Sequence, residues 1–167
     1  MTQPTIFNAA VGWIMSIEGG LHDDPKDPGG LTNLGIALAF HPELTPEQIR
    51  ALTPVTAAPI YYKQYWQPMH GDELPPWAAW VALDAAVNQG VGEATQVLQR
   101  AASVAVDGVI GPETLRAVAR YPPKQFLASF TSERDIAYSE SPHWKRYGDG
   151  WIRRATLAAL EAITCAD

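Results

Sequence analysis

Cysteine is almost absent from this chain. Cys165 is the only one in 167 residues, which excludes an intrachain disulfide and a thiolate metal cluster. It lies almost at the C-terminus and reads as a tail thiol. Basic residues are in the minority: 12 Lys and Arg stand against 18 Asp and Glu, for a net charge of −6. No Lys/Arg block occurs, so no nucleic-acid partner is expected. No apolar run is long enough to span a bilayer, so no membrane span is expected. No basic segment followed by an apolar core is visible near the N-terminus, so no signal peptide is expected and synthesis in the cytoplasm is. The four histidines, His22, His41, His70 and His143, never fall at the short spacing of a zinc-binding pair. Asp23, Asp24 and Asp27 lack the alternating ligands, central Gly and closing Glu of a calcium loop. Neither a Ser nucleophile elbow nor a phosphate-cradling Gly loop is present. The reading therefore expects no metal and no cofactor.

What is present is enough apolar material for one core. Hydrophobic content is 47%, ordinary for a soluble globular chain, and the length suits one domain over 1–167, expected to be a monomer. Apolar residues recur at helical spacing in most segments. Ile6, Phe7, Ala10, Val11, Ile14 and Ile17 form one stripe. Thr45-Pro46 and Thr53-Pro54 read as helix starts, with Gln48 completing a capping box. Pro75-Pro76 precedes a helix carrying Trp77, Trp80, Val81, Leu83, Asp84, Val87 and Asn88, closed by Gly90. Further helices are expected over Gly92 to Ala102, from Pro112, from Pro123 to about Ser139, and from Trp151 to about Ile163. The stretch Leu34 to Phe40 reads as a short helix or a strand. The fold class is therefore all or mostly α, with room for a small β-hairpin in the Asp-rich loop.

Chemistry concentrates at the end of the first helix. Glu18 continues the apolar stripe and is followed by Gly19-Gly20, which stop the helix. Apolar neighbours and the negative end of the helix dipole both favour the protonated form there, which suits a general acid. The following loop, Leu21-His22-Asp23-Asp24-Pro25-Lys26-Asp27-Pro28-Gly29-Gly30, then supplies a choice of second carboxylates. An acid on a rigid element beside an acid-rich loop is the arrangement that glycosidic cleavage needs. Tyr61, Tyr62, Tyr65 and Trp66 are core aromatics or, for Tyr65 and Trp66, platforms for a sugar ring. Asp84 and Asn88 share one helix face and read as a buried hydrogen-bonded pair, with Asn88 as an alternative substrate contact. Arg153 and Arg154 read as solvated, the alternative being acidic partners near a cleft.

Glu18-Gly19-Gly20-Leu21, followed by Asp23-Asp24-Pro25-Lys26-Asp27-Pro28-Gly29-Gly30-Leu31-Thr32-Asn33-Leu34-Gly35-Ile36, resembles the signature of glycoside hydrolase family 108, the N-acetylmuramidases with a Glu-Gly-Gly-Tyr motif. Leu21 stands where the family has Tyr. The segment from Leu98-Gln99 through Asp107-Gly108 to Gly111-Pro112 and Thr114 is similar to the predicted peptidoglycan-binding region of the same family. The resemblance implies a lysozyme-like helical fold, peptidoglycan as partner and substrate, and Glu18 as the essential acid. It divides the chain into a catalytic segment over 5–90 and a helical region over 91–163, which either binds sugar or only packs. Asp27 is expected as the second group: it lies nine residues after Glu18, a separation similar to that in phage-type lysozymes, and Pro28 biases it to extended backbone. Thr32 is expected to help hold a water. The activity expected is hydrolysis of the β-1,4 bond between N-acetylmuramic acid and N-acetylglucosamine. The alternatives are a lytic transglycosylase and a non-catalytic wall-binding or secretion-linked protein. Action on the wall would follow release or export by another factor.

Overall fold

The structure is a computed structural model and describes residues 5–23 and 30–166. Its organising element is a helix that is apolar on every side. Helix α4 (Pro76–Gln89) buries every residue from Trp77 to Ala86, and a helix of that kind belongs at the centre of a core. Four others pack around it: α1 (Thr5–Glu18), α5 (Val91–Ala101), α7 (Pro123–Ser139) and α8 (Trp144–Ile163). The short helices α2 (Pro46–Arg50) and α3 (Pro54–Tyr61) lie toward α1 and the sheet, and α6 (Pro112–Arg120) completes eight helices among the described residues. One continuous apolar cluster runs from Phe7 of α1 to Ala162 of α8. No helix among the described residues is long and apolar enough to cross a membrane.

The helix starts follow the local chemistry. Pro occupies the first position of α2, α3, α4, α6 and α7, where its missing N–H is not needed. Thr45 and Gln48 form the expected capping box, and Thr53 forms a second one with Thr56. Helix α8 differs from expectation: it begins at Trp144, not at Trp151. Two glycines inside it, Gly148 and Gly150, disguise the first turns because glycine is a poor helix former. Gly148 has a packing reason, since a Cβ there would come within 2.6 Å of the Trp144 ring.

A small antiparallel sheet has the order β1 (His22–Asp23), β2 (Leu31–Asn33), β3 (Ile36–Ala37), with Thr32 opposite both His22 and Ala37. Leu34-Gly35 joins β2 to β3 with positive φ at both residues, 50° and 75°, as a tight hairpin turn demands. Leucine is strained in that conformation. The Tyr61 hydroxyl compensates by donating to the Leu34 carbonyl at 2.8 Å. Leu38 to Phe40 continues β3 as one 3₁₀ turn, so the apolar stretch from Leu34 contains both a strand and a helical turn.

Asn33 ties this sheet to α2. Its side-chain amide donates to the carbonyls of Ile49, Arg50 and Leu52 at 3.0, 3.4 and 3.3 Å. A helix end leaves carbonyls short of backbone partners, although that of Ile49 also takes the Leu52 N–H at 3.2 Å. Asn33→Ala is therefore expected to cost roughly 1–3 kcal/mol, the penalty for stranding buried acceptors. A denaturant midpoint unchanged from the parent chain would refute this.

Candidate active site

Glu18 closes α1, and Gly19, at φ 86°, turns the chain away from it. The carboxylate sits in a line of alternating charges. Glu18 Oε1 accepts from Arg154 Nη1 at 2.5 Å, and Arg154 Nε donates to Asp84 Oδ1 at 2.8 Å. Arg134 Nη1 donates to Asp84 Oδ2 at 2.6 Å, and its Nε donates to Gln89 Oε1 at 2.8 Å. Exposure falls from the acid inward: 23% for the Glu18 side chain and 15% for Arg154, against none for Asp84 and 1% for Arg134. Burial works against the Arg154 charge, but the carboxylates of Asp84 and Glu18 outweigh it and hold its pKa above the ordinary value.

The other flank of Glu18 is the sheet. A Cβ on Gly35 would strike the Tyr61 hydroxyl and lie 3.1 Å from the Glu18 Cγ. The β2–β3 turn therefore rests directly on the acid, and only glycine fits there. Tyr65 is near as well. Its phenol is pushed above its ordinary pKa first by burial and then by the Glu18 carboxylate. Both phenols thus stay protonated donors at neutral pH: Tyr61 is raised by burial and by the same carboxylate.

The remaining expected residues divide. Trp66 is 1% exposed, packs against Phe7 with centroids 5.3 Å apart and donates its indole N–H to Asp72 at 2.9 Å. It is a core residue with no face for a sugar. Its backbone lies in a widened turn after α3, where the Gln67 N–H bonds the Tyr62 carbonyl at 2.9 Å and the Gly71 N–H bonds the Trp66 carbonyl at 3.0 Å. Thr32 is half-buried in β2, and its hydroxyl donates to the Gly30 carbonyl at 3.3 Å. Asp23 pairs with Arg50 on the surface at 2.8 Å. Asp24 and Asp27 lie outside the described residues.

Two expectations are corrected. Asp84 and Asn88 do not bond each other. Asp84 takes the two arginines, and Asn88 Oδ1 accepts from the Tyr138 hydroxyl at 2.6 Å. Burial pushes that phenol up to about 12, outweighing the opposing Arg134. Arg153 is exposed as expected, but Arg154 is not. The signal for these partners was available. Asp84 is a charge in the otherwise apolar stretch Trp77 to Ala86, and Arg134 falls on the stripe Phe126, Phe130, Tyr138. Such charges are buried only when paired. What pairs with what depended on three helices meeting.

A groove of about 360 Å³ opens beside the acid's partner, between α1, α4 and α8, lined by Trp13, Ile17, Asn88, Trp151, Arg153 and Arg154 among others. A larger, mainly apolar groove of about 860 Å³ lies between α7 and α8, around Leu127, Ile136, Trp144 and Leu160. It contains none of the charged line.

Residues 11–90 match the family described as Glycosyl hydrolase 108, and 93–156 match the Predicted Peptidoglycan domain. A solved structure, that of Brucella abortus SagA, is 33% identical with a TM-score of 0.84, over 96% of this chain and 95% of that one. The chain belongs to glycosyl hydrolase family 108. Curated protein sequences give no match. Membership of family 108 together with the second match makes this a glycosidase of peptidoglycan. In this family-108 chain Glu18 and Asp84 fall in the first matched segment, and Arg134 and Arg154 in the second. The charged line therefore crosses the boundary between them. In the second segment, Gln99 bonds Asp107 Oδ1, the Val109 carbonyl and the Gly108 N–H, at 2.7, 3.0 and 2.9 Å. That is a clamp on the Asp-Gly turn, made by the residues whose pattern drew attention in the sequence.

Proposed function

We propose that this protein is an N-acetylmuramidase. It hydrolyses the β-1,4 bond between N-acetylmuramic acid and N-acetylglucosamine, with Glu18 as general acid. The observation that carries the reading is the Glu18 carboxyl itself, partly shielded at a rigid helix end, pinned by Arg154 and flanked by a sheet and a groove. Glu18 gives its proton to the leaving glycosidic oxygen as the bond to the sugar C1 breaks. Positive charge develops on the sugar, water adds to C1, and a second group takes the proton that water releases. Asp27 is that second group, and Thr32 helps hold the water. Tyr65 and Asn88 contact the glycan. Asn88 is suited to this because it lines the groove and Tyr138 occupies its carbonyl, leaving the amide N–H groups to donate. Residues 5–90 carry the chemistry. At a net charge of −6, bulk attraction cannot bring the protein to an anionic wall, so recognition is local.

Digestion of purified sacculi followed by mass analysis tests the reading. Hydrolysis leaves reducing N-acetylmuramic acid ends with the mass of one added water, whereas a lytic transglycosylase leaves anhydro ends. Anhydro products would replace this assignment with transglycosylation. Binding without soluble fragments would end the catalytic reading. Asp27→Asn is expected to lower the rate by roughly a hundredfold, as loss of a general base does. Full activity in that variant would move the second role elsewhere.

A further inference from the structure

Arg154 belongs to the segment matched as a peptidoglycan domain, yet its guanidinium is spent inside the protein. Two of its nitrogens hold two carboxylates, on Glu18 and on Asp84. The third, Nη2, is buried with no partner among the described residues. Asp84 cannot drift, because it is fully buried and its other oxygen is held by the nearly buried Arg134. Arg134 is fixed in turn by Gln89. Position is thus transmitted from α7 through α4 and α8 to the end of α1.

We infer that Arg154 is a positioning residue for the acid: held by Asp84 and Arg134, it fixes the Glu18 carboxyl and stabilises the carboxylate that remains after proton transfer. The C-terminal segment therefore completes the active site, whatever it does on the wall. This rests on Glu18 being the acid. The form of Glu18 that reacts is the protonated one, as a general acid requires. Once that proton is on the leaving oxygen, the carboxylate stands beside a fixed cation that needs no rearrangement, which is where electrostatic preorganisation acts most strongly. Charged and titratable groups facing Glu18 include Arg154 from α8 and the phenols of Tyr61 and Tyr65 from α3 and its continuation, with Asp84 of α4 behind Arg154.

The test is kinetic, on the full chain with solubilised glycan strands. Arg154→Met keeps an aliphatic stem and removes the charge. Its kcat is expected to fall roughly a hundredfold, with KM changed far less. The basic limb of the kcat–pH profile is expected to move up, because the cation beside the acid is gone. A folding defect alone does not move that limb. Arg154→Lys keeps the charge but cannot span two carboxylates. It is expected to hold the limb near its original place and to recover part of the rate, and it serves also if the Met variant does not fold. An unmoved limb in folded Arg154→Met, or wild-type kcat in Arg154→Lys, overturns the inference. If Glu18→Gln is inert while either of those results holds, this inference alone fails. If Glu18→Gln is active, the catalytic reading beneath it fails.

Discussion

Glu18→Gln is expected to abolish most of the release of soluble fragments from purified sacculi, by roughly a hundredfold or more, the usual contribution of a general acid. Gln keeps the size of the side chain and can still accept from Arg154, but it has no proton of the right acidity to give. Stability should hardly suffer. The lost charge is partly exposed and lies at a helix C-terminus, where an anion is unfavourable. Arg154 keeps its second carboxylate, Asp84, at 2.8 Å. The melting temperature should therefore stay within a few degrees of the parent, so that a fall in rate reports chemistry and not unfolding. Near-normal clearing of sacculi by a folded Glu18→Gln protein would remove Glu18 from the mechanism.

Asp84→Asn is expected to have the opposite profile, with its largest effect on stability. The Asp84 carboxylate is completely buried and serves two arginines, one of them 1% exposed. An amide has the shape of the carboxylate but not its charge, and one of its two ends is a donor that faces an arginine. Removing one member of a buried ion pair leaves the other charge without compensation, at a cost of roughly 3–5 kcal/mol. For a chain of this length that corresponds to a melting temperature lower by about 6–20 °C. Activity should drop too, since Arg154 loses its anchor and with it the fixed direction toward Glu18. Thermal and urea unfolding of the variant measure this directly. A loss below about 1 kcal/mol would mean that water or relaxation satisfies the arginines, and that the charged line is not a rigid support.

The amino-acid sequence by itself determined where helices start and stop and which family motif the chain carries. Those features are local. Proline after threonine presets a helix start, glycine after Glu18 stops one, and apolar residues at three- and four-residue spacing mark the buried faces of α1 and α5. The loop motif from Glu18 to Ile36 is a run of neighbours and was readable as such. The sequence also showed that a charge, Asp84, stood in an otherwise apolar stretch of helix, but not what would neutralise it. Tertiary structure decided that. Arg134 lies 50 residues from Asp84 and Arg154 lies 136 from Glu18, and no spacing rule connects groups whose meeting depends on three helices packing at once. The same limit explains Trp66, whose ring is buried against Phe7 of α1, and Asn88, whose partner Tyr138 sits on α7. It also explains why α8 began early: Gly148 looked like an interruption until the Trp144 ring occupied the space its missing side chain leaves. Short-range preferences fix the elements, whereas the electrostatics of the site arise only where elements distant in sequence are pressed together and unpaired charge is too costly to bury.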